Sequence, residues 1–139
     1  MQEFIRQSLL ASAPLKQESA RTLAPQIEAA AQALVDCYRH GGKVLLFGNG
    51  GSAADAQHLA GELVARFLRE RPSLPAIALT VNPSVITAIA NDSDFSLIFA
   101  RQIQGLAQPG DVVVAMSTSG YSPNVLEGLR AARERGCLT

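Results

Sequence analysis

Three short apolar runs constrain the fold of this chain more than any other feature. Lys43-Val44-Leu45-Leu46-Phe47, Ala76-Ile77-Ala78-Leu79 and Val112-Val113-Val114-Ala115-Met116 are nearly continuous rather than alternating. That is the pattern of strands covered on both faces. The stretches between them read as helices: Ala53 to about Arg69, a short one near Ser84–Ala90, and Phe95 to about Leu106. A last helix runs from about Asn124 to Arg135 and is stopped by Gly136. Strands alternating with helices predict an α/β fold, a parallel sheet with helices on both sides.

Residues 1–40 form a different region, helical throughout. Ile27, Ala30, Ala31, Leu34, Val35 and Tyr38 recur at helical spacing and give one apolar stripe. Pro25 suits the first turn of this helix and Gly41-Gly42 its C-terminal stop. Phe4, Ile5 and Leu9 suggest an earlier amphipathic segment, interrupted near Pro14. These helices need a surface to pack on, either a partner subunit or the α/β core at 41–139. The whole is read as a single domain, 1–139.

Composition removes several functions. Twelve Lys plus Arg balance twelve Asp plus Glu, so no basic surface marks the chain for nucleic acid. Five Phe, two Tyr and no Trp are too few for a base-stacking platform. Hydrophobic residues at 47% and charged ones at 17% supply a core and exclude a disordered chain. Cys37 and Cys137 cannot build a disulfide framework and lack metal-site spacing, which fits a reducing cytoplasm. No apolar stretch approaches the roughly 20 residues of a membrane span. The short run before Ala13 is not a signal peptide, since its apolar core is too brief.

Two loops at strand carboxyl ends carry the chemistry, because parallel sheets bind ligands there. Gly48-Asn49-Gly50-Gly51-Ser52 follows the first strand and opens a helix, so the backbone can turn sharply and come close to a ligand. Ser117-Thr118-Ser119-Gly120-Tyr121-Ser122 follows the third and also opens a helix. Four hydroxyls with free amides suit a phosphate monoester, and ordinary helix capping needs only one of them. The first loop formally matches a dinucleotide fingerprint, but the next strand ends Leu79-Thr80-Val81 without the carboxylate a ribose needs. No Gly-Lys-Ser/Thr follows the glycines, which removes the ATP-binding P-loop. A small phosphorylated ligand spanning both loops fits better.

On the helix after the glycine loop, His58 and Glu62 stand four residues apart on one face. They suit general acid–base work or part of a zinc site, or are simply an exposed polar pair. Asp55 lies one turn earlier and either orients His58 or stabilises the helix start. Asn91-Asp92 closes the short helix after the second strand, as a site pair or as ordinary helix-end residues.

Taken together, Gly48 through His58 with Glu62, Arg71-Pro72, Pro75–Leu79, Asn91-Asp92, Gly110-Asp111 and Ser117–Gly120 resemble the bacterial phosphoheptose isomerases of the sugar isomerase (SIS) fold. The resemblance runs from about Ala29 to the C-terminus. It implies an SIS-type three-layer sandwich preceded by N-terminal helices, with a C-terminal strand and helix missing after Thr139. It further implies interconversion of sedoheptulose 7-phosphate and D-glycero-D-manno-heptose 7-phosphate, an early step toward lipopolysaccharide heptose. A cytoplasmic homotetramer with sites between subunits belongs to the same expectation.

By position in the family motif, Ser117, Thr118, Ser119 and Ser122 would hold the phosphate. Asn49, Gly50, Gly51, Ser52, Asn91 and Asp92 would line the sugar. Glu62 would touch the substrate as general base for an enediol, and His58 and Glu62 would be two zinc ligands. Tyr121 stands where many members have Asn. The glutamine and second histidine of the family lie past position 139, and His40 sits at the wrong end of the sheet to replace the histidine. The 139 residues alone are therefore expected to bind sugar phosphate weakly and turn over poorly. The competing reading is a non-catalytic SIS regulator that binds a replication-initiator protein, which would not need Glu62. A nucleotide binder is a third.

Overall fold

The computed structural model describes all residues, Met1–Thr139. Its elements are α1 (Gln2–Arg39), β1 (Val44–Gly48), α2 (Gly51–Val64), β2 (Ala76–Ala78), α3 (Pro83–Asp92), a single 3-10 turn (Phe95–Leu97), α4 (Ile98–Leu106), β3 (Val112–Met116) and α5 (Pro123–Glu134). All three expected strands are present, in one parallel sheet of order β2-β1-β3. Val44 pairs with Ala76 on one side and Val112 on the other, and Gly48 pairs with Met116. One further parallel bridge joins Val112 to Leu138.

The apolar runs are continuous because the sheet is packed on both sides. Leu45, Phe47 and Val113 point into a cluster with Ile98, Phe99 and Ile103 of α4 and Val125, Ala131 and Ala132 of α5. Val44, Leu46, Ala78 and Val112 point the other way, onto Ala56 and Ala60 of α2 and Cys37 near the end of α1. Every residue of β1 is buried. The result is the three-layer α/β sandwich.

Compact units divide at Ala33 and Leu34, ahead of the residue 40 expected from sequence. Leu34, Cys37 and Tyr38 are the reason, since they pack on the sheet cluster. In the first unit, Met1–Ala33, the helix runs through Pro14 and Pro25 without the expected break. Each proline removes one backbone bond, but the surrounding residues are exposed, so the freed carbonyls are open to solvent. Pro25 is accordingly an interior residue and not a helix start.

Helix α2 also ends earlier than its periodicity suggests, at Val64 rather than Arg69. The Arg71 guanidinium reaches back and donates to the Leu63 carbonyl at 2.8 Å and the Glu62 carbonyl at 2.7 Å. It satisfies the carbonyls a longer helix would have used. Phe67 and Leu68 are left exposed in the following loop.

At the amino ends of the strands, Asp111 is buried and accepts from Lys43 Nζ (2.6 Å), Lys43 N (3.0 Å) and Gln108 N (2.8 Å). Burial pushes its carboxyl up, but the bonds from Lys43 and Gln108 and the lysine charge outweigh that and hold it below the ordinary value. His40 lies at this same end, around a hollow with Lys43, Pro75 and Gln108–Asp111.

Candidate active site

Strand order decides where a ligand can bind. The chain leaves β1 for β2 on one side and returns to β3 on the other, so the connections diverge between β1 and β3. Such a switch point leaves a crevice at the carboxyl ends of the two strands. The glycine loop leaves β1 there and the hydroxyl loop leaves β3 there.

The crevice floor is main chain. A β-carbon on Gly48 would lie 2.7 Å from the Met116 carbonyl oxygen and 2.7 Å from Ser52 Cβ, so only glycine fits. Gly50 holds φ at 56°, the left-handed region, where it caps α2 without side-chain help. Helix α5 likewise begins with no side-chain cap, at Ser122, with Pro123 in its first turn. By contrast, α3 is capped by Asn82, whose side chain accepts from Val85 N at 3.1 Å. Helix α2 thus keeps amino-terminal N–H groups for an anion, whereas at α5 Pro123 has none and Val125 N donates to Ser122 O at 3.0 Å, leaving Asn124 N.

The hydroxyls are arranged around Ser117. Its Oγ is 3.4 Å from both Ser119 Oγ and Ser122 Oγ, and accepts from Gly120 N at 3.1 Å. Ser119 Oγ accepts from Tyr121 N at 3.2 Å. These bonds shape the loop, and none caps α5, so capping does not account for the four hydroxyls. Ser117 and Ser122 are half-buried, Thr118 and Ser119 exposed.

The profile of the SIS domain matches residues 10–139. The phosphoheptose isomerase of Trichlorobacter lovleyi is 51% identical over 139 residues, 100% of this chain and 71% of the relative. The chain belongs to the phosphoheptose isomerase family of SIS domain proteins. The phosphoheptose isomerase of Roseiflexus sp. is 54% identical over 129 residues, 93% of this chain and 66% of the relative. Among solved structures, phosphoheptose isomerase GmhA from Neisseria gonorrhoeae superposes with a TM-score of 0.92 at 42% identity, covering 98% of this chain and 71% of that one. A phosphoheptose isomerase from Francisella tularensis gives a TM-score of 0.94 at 41% identity, covering 97% and 71%. The chain therefore spans 71% and 66% of the length of the two curated relatives.

Against this family background, the remaining site residues fall into separate groups. His58 Nε2 stands 3.8 Å from Glu62 Oε1, one helical turn away. Both border an apolar hollow of about 380 Å3 with Leu46, Leu59, Phe67, Arg71 and Val114, and no hydroxyl-loop residue lines it. Asn91 Nδ2 donates to Asp92 Oδ1 at 2.8 Å on the exposed end of α3, which leaves each with further polar capacity. Asp55 is exposed one turn before His58.

A phosphoheptose isomerase zinc site would draw on His58 and Glu62, and the structure gathers no third His, Cys, Asp or Glu beside them. Zinc takes three or four protein ligands. His58 and Glu62 would supply two of these.

The residue that sequence reasoning missed is Asn124. It is 2% exposed and exchanges two hydrogen bonds with Asn49, Asn49 Nδ2 to Asn124 Oδ1 at 2.9 Å and Asn124 Nδ2 to Asn49 Oδ1 at 2.8 Å. In the sequence it reads only as a helix-start residue after Pro123. Its partner lies 75 positions away, and no local signal announces it.

Proposed function

We propose that this protein is an aldose–ketose isomerase that interconverts sedoheptulose 7-phosphate and D-glycero-D-manno-heptose 7-phosphate. The observation that carries the reading is the pair of uncapped helix starts, one fronted by three glycines and the other by a hydroxyl cluster centred on Ser117. Such a pocket takes a phosphate monoester through N–H and O–H donors without a fixed positive charge. Ser117, Thr118, Ser119 and Ser122 hold the phosphate. Gly50, Gly51 and Ser52 border the sugar with Asn49, and Asn91 and Asp92 close its far side.

Glu62 is the base. Its carboxylate takes the proton from C1 of the ketose, electrons shift to the carbonyl oxygen, and an enediol forms. Transfer of the hydroxyl proton from O1 to O2 and return of the carbon-bound proton to C2 give the aldose. The oxygen that becomes negative in between needs donors, which the backbone amides at the start of α2 supply. His58, whose Nε2 stands 3.8 Å from Glu62 Oε1, orients the carboxylate, and the two residues would be this chain's donors to a metal where one binds. A homotetramer gives the exposed apolar residues Phe4, Ile5 and Leu9 of the first unit a partner. A cytoplasmic location suits two free, buried cysteines.

The test is incubation with sedoheptulose 7-phosphate in heavy water, following binding and deuterium entry at C1. The deuterium readout registers proton abstraction even where net conversion is slow. Saturable binding with deuterium at C1 is the expected result. Absence of saturable binding refutes the reading.

A further inference from the structure

We propose that Asn124 is a positioning residue: its reciprocal amide pair with Asn49 fixes the gap between the glycine loop and the hydroxyl loop. The inference rests on the phosphorylated-ligand reading of that crevice and deepens it.

Three observations carry it. The pair crosses the switch point, joining the residue after β1 to the first turn of α5. Those two segments hold the two halves of the site. Second, Asn124 is one of only two buried polar residues, at 2% exposure. A buried amide is costly unless bonded, and packing alone would be served by an apolar side chain. Third, the pairing is reciprocal, so each amide dictates the orientation of the other. Turning either one alone would set NH2 against NH2 and oxygen against oxygen.

Beneath the pair, the strand ends are joined at Gly48 and Met116. Further along α5, Gly128 meets the Phe47 ring. These contacts hold both β3 and α5 against β1, and the amide pair is the one that joins the two loops themselves. Asn49 spends one donor and one acceptor on this bond, so its influence on the ligand runs largely through the clamp.

Asn124→Ala, Asn49→Ala and the double variant test this by titration with sedoheptulose 7-phosphate and with inorganic phosphate. Spectra of chain labelled with 15N at asparagine accompany the titrations. Each single change is expected to weaken sedoheptulose 7-phosphate binding about five- to tenfold. The double variant is expected to bind no worse than either single one, because both remove the same interaction. The Asn49 side-chain amide is expected to exchange slowly in the unaltered chain and rapidly in Asn124→Ala. If Asn124→Ala loses thermal stability yet binds both probes normally well below its Tm, the residue is structural only and the proposal fails. Losses that simply add in the double variant also overturn it. If the unaltered chain binds neither probe, the site reading itself falls and takes this proposal with it, an outcome distinct from failure of the clamp alone.

Discussion

Gly128 of α5 lies so close to Phe47 of β1 that a β-carbon on the glycine would sit 2.7 Å from the ring's Cζ. Phe47 in turn stacks on Phe99, with ring centroids 4.6 Å apart and planes 27° from parallel. The helix therefore rests directly on an aromatic pair, with no side chain between. Gly128→Ala must push α5 outward or turn Phe47 from its rotamer, and is expected to destabilise the fold by about 1–3 kcal/mol. Urea unfolding measures this, and an unchanged midpoint would contradict the packing argument.

Asp111 makes stability depend on pH in a definite direction. Its folded pKa lies below the ordinary 3.8, so its contribution is fully present above that value. The contribution is lost as pH falls through the depressed folded pKa. Asp111→Asn leaves the Lys43 ammonium without its buried partner and is expected to cost about 3 kcal/mol at neutral pH. The variant should also show a flatter decline of Tm below pH 4 than the parent. Parallel acid-melting curves would speak against this role.

Tyr38 carries a hydroxyl that is buried with no hydrogen-bond partner. Burial, with the nearby Cys37, pushes its pKa up to about 12. Removing an unsatisfied polar atom removes a desolvation penalty. Tyr38→Phe is accordingly expected to be neutral or to stabilise by up to about 1 kcal/mol. A loss of more than that amount in thermal or chemical unfolding would reveal a partner for the hydroxyl.

The proposed function gives Glu62 proton transfer and leaves phosphate binding to the hydroxyl loop. Glu62→Gln preserves size and one acceptor oxygen but cannot take up the proton. Deuterium entry at C1 of sedoheptulose 7-phosphate should fall about a hundredfold or more. Affinity for inorganic phosphate should stay within about twofold, since the hydroxyl loop is untouched. Equal exchange rates in the two proteins would remove Glu62 from the chemistry.

Where sequence and structure agree, the cause is local and repeated. The strands were readable because β1 is covered on both faces, which leaves a continuous apolar run. The two loops after β1 and β3 are readable as loops because glycines and hydroxyls cluster at those strand ends. Where they disagree, a distant group decides. Helix α2 stops at Val64 because Arg71 takes its last carbonyls, and periodicity up to Arg69 carries no trace of that. Pro25 looked like a helix start because an exposed helix tolerates an interior proline that a packed one would reject. The Asn49–Asn124 pair was invisible for a related reason: two ordinary turn residues gain meaning only when the crossover brings them together.

The central place of β1 also governs how the site can move. Each of its five residues is buried, between β2 and β3 and beneath helices on both faces. Amides in such a strand exchange only when the whole domain opens, whereas exposed loop amides exchange through small local excursions. The floor of the crevice is thus expected among the slowest-exchanging parts of the molecule. A ligand entering here meets a base that does not yield, and any adjustment to its shape has to come from the exposed side chains around it.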